Sequence, residues 1–162
     1  MRNIRRFEPA DLPIIQSLRR KAFEPIFASF CNMVGEEIFR LEFSDWDQTQ
    51  GDYLHSICAT HSGKEVYVVT MSEQVVAFIG ISMNRQSGKG EIDLNAVDPS
   101  YQGQGIGRFM YEFAIRRMKE TGVKVVKVST GADSSHAAAR RAYERAGFGA
   151  SIPSIMMYQR IA

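Results

Sequence analysis

The run from Val97 to Arg108, Val-Asp-Pro-Ser-Tyr-Gln-Gly-Gln-Gly-Ile-Gly-Arg, constrains this chain more than any other stretch. A strand-like segment, Glu91-Ile-Asp-Leu-Asn-Ala-Val97, precedes it, and a segment with apolar residues at Ile106, Phe109, Met110 and Phe113 follows at helical spacing. A glycine-rich turn that enters a helix exposes backbone N–H groups that no intrahelical carbonyl satisfies. The helix dipole adds partial positive charge at the same place, so the turn suits a phosphate or pyrophosphate. Glycines at 103, 105 and 107 allow a ligand to approach the backbone without a Cβ in the way. The spacing excludes two familiar phosphate loops. The dinucleotide fingerprint needs a glycine three residues after its second, and Gly105 is followed by Ile106, Gly107 and Arg108. The Walker loop ends in Gly-Lys-Ser/Thr, and no lysine lies between residues 90 and 118.

The segment Gln102-Gly103-Gln104-Gly105-Ile106-Gly107, led in by Val97-Asp98-Pro99, resembles the Gln/Arg-x-x-Gly-x-Gly/Ala signature of the GNAT N-acetyltransferases. Downstream, His136-Ala-Ala-Ala139-Arg-Arg-Ala-Tyr143-Glu-Arg-Ala-Gly147-Phe148 is similar to the Asn-x-x-Ala-x-x-x-Tyr-x-x-x-Gly-Phe element of the same family, with His136 where asparagine is usual. Physically this second stretch is an alanine-rich helix with N-cap candidates at Asp133, Ser134 and Ser135 and a left-handed C-cap at Gly147. The resemblance implies the GNAT fold, an α/β architecture with a central mixed β-sheet flanked by helices, in one domain over residues 1–162. It implies acetyl-coenzyme A as cosubstrate, held by the backbone from Gln102 through Gly103, Gln104, Gly105, Ile106 and Gly107 to Arg108, with Asn95, Ala96, Val97 and His136 also along it. It implies that Tyr143 meets the coenzyme A sulfur as the acid, and that a backbone N–H near Ala96 or Val97 serves the oxyanion.

Acetyl transfer to an amine also needs a proton acceptor, because only the neutral amine attacks. Glu91, Asp93 and Asn95 alternate with Ile92, Leu94 and Ala96, which directs three polar side chains to one sheet face. Glu91 is the first candidate base, at a strand position where some family members carry a glutamate, and Asp93 is the second. The fifth-strand glutamate of members that acetylate peptide N-termini is missing from Val128-Ser129-Thr130. Arg108, Arg116, Arg117, Arg140 and Arg141 are further phosphate candidates or solvated helix charges.

Composition narrows the partners. The net charge of +2 points away from nucleic acid. The N-terminus has no apolar signal core and no stretch is long enough to span a membrane, so a cytoplasmic protein is expected. Cys31 and Cys58 make no disulfide framework and read as buried, inert thiols. His55, Cys58 and His61 lack a fourth ligand, so no metal is expected. Residues 22–52 carry seven acidic and one basic side chain, inside a mildly basic remainder. In the family this region roofs the acceptor pocket, which suggests a cationic small molecule or an amino-acid or lysine amine as acceptor. The alternative is a non-catalytic acyl-coenzyme A sensing module.

Along the chain, strands are expected at 3–7, 66–70, 75–83, 91–97, 123–129 and 154–161. A helix opens at Pro9-Ala-Asp-Leu-Pro13 and continues through Ile14, Ile15, Leu18 and Ala22, and a second helical segment fills 23–60. The main helix covers 105–121, closed by Gly122, and the strand after it runs parallel to the one before by crossover logic. The last strand, around Met156 to Tyr158, offers an edge for a homodimer.

Overall fold

A computed structural model describes residues 1–162. Its elements are β1 (Arg2–Arg6), α1 (Leu12–Val34), α2 (Glu36–Glu42), α3 (Trp46–Cys58), β2 (Glu65–Met71), β3 (Gln74–Asn84), β4 (Lys89–Val97), α4 (Ile106–Glu120), β5 (Val125–Val128) and α5 (Ala137–Arg145). The strands form one sheet in the order β1-β2-β3-β4-β5, antiparallel except for the parallel pair β4–β5. The parallel pair follows from α4 as the crossover, as expected.

The sheet is covered on both faces. One core joins β2, β3 and β4 to α4 and α5 through Ile79, Ile92, Ile106, Met110, Ala114 and Tyr143. The other joins β2 and β3 to α1 and α3 through Ile15, Leu18, Leu54, Ile57, Val68 and Phe78. Burying each such aliphatic side chain contributes about 1.5–3 kcal/mol. The near-continuous burial of β3 from Val75 to Ile81 reflects its place between two layers.

Several expectations are corrected. The first helix does not stop near Ala22 but runs to Val34, with Pro25 inside it, and ends where Gly35 adopts φ +84°. The fifth strand is shorter than 123–129. The expected strand at 154–161 does not form: residues 149–162 have no regular structure. This tail lies instead on the α1–α2 side, where the Tyr158 ring packs edge-on against Phe43 and Arg160 pairs with Glu37 at 2.9 Å. A dimer edge at Met156 to Tyr158 therefore has no strand to carry it. Cys31 and Cys58 are half-buried rather than buried, and burial pushes the Cys58 thiol up to about 11.

Candidate active site

Strand β4 contains the local irregularity on which the site depends. Ile81 pairs with Ile92 but Ile79 pairs with Asn95, so β4 holds one extra residue between them. This is a β-bulge at Asp93–Leu94. Gly80 faces it, and a Cβ there would lie 3.4 Å from the Leu94 carbonyl and 3.5 Å from the Asp93 Cβ. The bulge breaks the alternation. Ile92 belongs to the α4–α5 core, whereas Leu94 and Ala96 both pack toward α1 and α3. Asn95 is turned to the α4–α5 face, and Asp93 to the opposite one. The reading that Glu91, Asp93 and Asn95 share a face is thus overturned, because a one-residue insertion reverses every side chain beyond it.

Asn95 enters a relay there. The Tyr111 hydroxyl donates to Asn95 Oδ1 at 2.8 Å, and Asn95 Nδ2 donates to the Tyr143 oxygen at 3.2 Å. The Tyr111 and Tyr143 rings lie 4.4 Å apart, and both side chains are almost fully buried. Burial, then the neighbouring Tyr143, raises the Tyr111 phenol well above its ordinary range, so it stays protonated and keeps its donor role. Because the Tyr143 oxygen accepts from Asn95, its own proton is free for another acceptor. Tyr143 is seated by the motif helix. Phe148 N–H returns to the Tyr143 carbonyl at 3.1 Å across Gly147, whose φ is +108°, and the Phe148 ring packs edge-on against Tyr143.

The glycine loop splits into two kinds of position. Gly103 and Gly105 have φ of +77° and +74°, with open space where a Cβ would stand at Gly103. Gly107 does not have positive φ, and faces Tyr111 and Ala142. A Cβ there would point at α5 in ordinary contact, so neither backbone angle nor space requires glycine at 107, which corrects the reading of three equivalent glycines. Arg2, at the start of β1, donates to the carbonyls of Gln104 at 2.8 Å and Gly105 at 3.4 Å, and its guanidinium lies over the Phe109 ring. In a planar trans peptide C=O and N–H point oppositely, so this grip turns the following amides, those of Gly105 and Ile106, away from Arg2. Gln102 reaches back to the Val97 carbonyl at 3.3 Å. The first intrahelical bond of α4 is Phe109 N–H to Gly105, which leaves the amides of Ile106, Gly107 and Arg108 without backbone partners.

The remaining candidates fall as follows. Glu91 lines a cleft of 1480 Å³ together with Tyr143, and its carboxylate lies 3.6 Å from Lys127. Asp93 is engaged: Lys64 forms an ion pair with it and the Tyr53 hydroxyl donates at 2.7 Å. Burial pushes its carboxyl up, but bonds from Lys64, Tyr53 and the Leu94 amide outweigh that and hold it below the usual range. The β4–β5 ladder ends at Ile92 opposite Val128, so β4 runs on through Ala96 and Val97 with no β5 partner. His136 Nδ1 meets Asp133 at 2.7 Å, and its ring stacks near Phe30. Arg108 pairs with Glu112 at 2.7 Å, Arg117 grips Glu65 at 2.9 Å, and Arg140 donates to the carbonyls of Gly131 and Asp133. Arg117 and Arg140 are therefore structural ties. Of the seven acidic residues in 22–52, Asp47 is paired with Arg19 and Arg20 and Glu37 with Arg160. None of the seven lines the large cleft or the second cavity described below.

Arg2 and Tyr111 were not singled out by the sequence. Arg2 lies a hundred residues from the loop it grips and carries no pattern. Tyr111 is one more aromatic on the buried face of an amphipathic helix.

A family profile described as "Acetyltransferase (GNAT) family" matches residues 32–148, and the chain belongs to that family. Among solved structures, the PaiA N-acetyltransferase of Thermoplasma acidophilum in complex with coenzyme A aligns with a TM-score of 0.76 at 16% identity, covering 95% of this chain and 93% of that one. The ribosomal-protein-S18-alanine N-acetyltransferase of Escherichia coli aligns at 0.66 and 22% identity, over 94% and 80%. An aminoglycoside acetyltransferase from an uncultured soil metagenomic sample, in complex with sisomicin, aligns at 0.63 and 21% identity, over 99% and 97%. At these identities the likeness is one of fold. No curated protein matches the sequence at a significant level.

Proposed function

We propose that this chain is an acetyl-coenzyme A-dependent N-acetyltransferase of the cytoplasm that acetylates a primary amine, on a small molecule or a peptide, by direct transfer in a ternary complex. The observation that carries the reading is the Tyr111–Asn95–Tyr143 relay. It supplies a tyrosine whose proton is free and whose oxygen is met by a donor, as a group that must protonate a leaving thiolate requires. The loop from Gln102 to Arg108 binds the pyrophosphate through its outward amides, with Gly103 and Gly105 allowing close approach. His136, anchored through Nδ1 to Asp133, is the motif's remaining candidate contact to the cosubstrate, through its other ring nitrogen.

The amine nitrogen bonds to the acetyl carbon and the carbon–sulfur bond breaks. Glu91 takes the ammonium proton, directly or through water, while Asp93 is held by Lys64 and Tyr53. A backbone N–H where β4 outruns β5, at Ala96 or Val97, faces the developing oxyanion. Tyr143 gives its proton to the thiolate, and the phenolate is met by Asn95 Nδ2 until it is reprotonated.

The test is release of free thiol from acetyl-coenzyme A by the purified chain against amines, polyamines, amino acids, aminoglycosides and peptides. Turnover on one class is expected, with kcat lowered about 100-fold in Tyr143→Phe and cosubstrate affinity kept. Tight acetyl-coenzyme A binding with no thiol release on any amine would replace the transferase with a sensing module.

A further inference from the structure

Beside the catalytic cleft lies a second cavity of 530 Å³ between the α1–α2 corner and the C-terminal tail, walled by Phe30, Met33, Val34, Ile38 and Phe43 on one side and Met156 on the other. Its one charged lining residue is Asp133, whose carboxylate is already taken by His136 and Ser135. Ala132 lines both this cavity and the cleft of Tyr143 and Glu91, so the two spaces meet across one small side chain. A Cβ on the neighbouring Gly131 would run into the His136 ring and Asp133, and Arg140 ties the carbonyls of Gly131 and Asp133, so Ala132 is held in place at the junction.

We propose that this cavity receives the apolar body of the acceptor: a primary amine carrying a bulky aliphatic or aromatic group, whose nitrogen passes Ala132 into the cleft. The inference rests on the transferase reading and narrows its substrate class. A polycation finds no free carboxylate here, and the acids of residues 22–52 lie elsewhere. An apolar group finds walls that are wet in the free protein, with Met33 and Met156 57% and 73% exposed, and their removal from water favours binding. Three methionines, Met33, Met156 and Met157, give these walls the adaptability to close on differently shaped groups.

Trp46 provides a readout independent of turnover. It is the sole tryptophan, it stacks on Phe27 at 4.4 Å, and Phe27 touches both Phe30 and Phe43 of the wall. The experiment titrates the full chain with phenethylamine, leucinamide, a peptide beginning with leucine, and spermidine, following Trp46 fluorescence and thiol release in parallel. Saturable responses are expected from the apolar amines and none from spermidine, and the leucine peptide separates a free amine from a peptide N-terminus as the source. Met33→Glu, at an exposed site, should weaken the response at least tenfold, and Met33→Leu should restore it; circular dichroism and acetyl-coenzyme A affinity check that both are folded. Equal binding to Met33→Glu, or spermidine binding tighter than phenethylamine, overturns the proposal. Saturable binding without thiol release supports this cavity and refutes the transferase, whereas thiol release confined to spermidine does the reverse.

Discussion

Replacing Gly107 and Gly105 each by alanine separates two jobs that one glycine-rich motif hides. At Gly107 the backbone does not have positive φ, and a new Cβ would sit 3.6 Å from the Tyr111 ring and 3.8 Å from the Ala142 Cβ, both ordinary contacts. Nothing must move, and the helix loses its glycine penalty, so Gly107→Ala should stabilise by about 0.5–1 kcal/mol. At Gly105 the φ of +74° stands at the N-cap of α4, where an alanine pays the left-handed penalty of about 1–2 kcal/mol. For a chain of this size each kcal/mol moves Tm by roughly 2–4 °C, so the first variant should rise by about 1–4 °C and the second fall by about 2–8 °C. Calorimetric Tm should be paired with the KM for acetyl-coenzyme A. Gly107→Ala should keep KM within about twofold, since its Cβ points at α5. Gly105→Ala should raise it, because the amides that follow depend on that backbone turn. A destabilised Gly107→Ala, or one whose KM rises as much as that of Gly105→Ala, would refute the division and restore all three glycines to ligand access.

Other perturbations test other links of the site. Arg2→Met removes the grip on the Gln104 and Gly105 carbonyls; at about 1 kcal/mol for the lost hydrogen bonding, KM for acetyl-coenzyme A should rise about fivefold with kcat little changed in steady-state assays. Tyr111→Phe strands the Asn95 carbonyl oxygen, so urea unfolding should show a loss of about 1–3 kcal/mol and kcat should fall with KM held. The Lys64–Asp93 pair sets a pH window. Asp93 is held below its usual value, so its contribution is complete above about pH 4 and is lost as pH falls through the lowered folded value. The hydrogen bonds Lys64 donates to Asp93, then to Tyr53, raise it to about 12, so its contribution is complete below about pH 10 and is lost as pH rises through 12. Urea midpoints of Asp93→Asn should therefore trail the native chain between those limits and converge with it in acid.

The motifs were legible because they are local. Glycine spacing fixes the turn before α4, and alanine propensity with Gly147 fixes α5, whatever the rest of the chain does. The hairpin of β2 and β3 and the parallel β4–β5 pair followed from the same local reasoning plus crossover logic, whereas the place of β1 beside β2 carried no local signal. The bulge was not legible, since Ile92, Leu94 and Ala96 alternate perfectly in the sequence and the extra residue exists only relative to β3. Gly80, in an otherwise β-branched and apolar strand, was its one trace. The tail failed for a related reason. Ile155, Met156 and Met157 satisfy a strand's composition, yet a strand exists only where a ladder partner accepts it, and the contacts of Tyr158 and Arg160 hold the tail against α1 and α2.

The bulge explains how one short strand can present neighbouring polar side chains to both layers of the molecule. By the alternation of Gly90, Glu91 and Ile92, the carboxylate of Glu91 lies toward α1 and α3, while beyond the bulge Asn95 points to the face of α4 and α5. Without the extra residue, Asn95 would follow Glu91 to the same face, and its bond to Tyr143 could not form. The bulge therefore sets Glu91 and Asn95, the partner of Tyr143, on opposite faces of β4. The end of the β4–β5 ladder at Ile92 and Val128 opens the sheet between them, so that a cleft lined by both Glu91 and Tyr143 exists at all. In the proposed reaction, an amine entering from the α1–α2 side, past the apolar wall of Phe30 and Phe43, would meet the carboxylate first. In the same reaction, a thioester laid along α4 and α5 would meet the phenol first. On the proposed reading, the acceptor and the cosubstrate would not compete for one channel, and direct transfer would follow from the placement of one inserted residue.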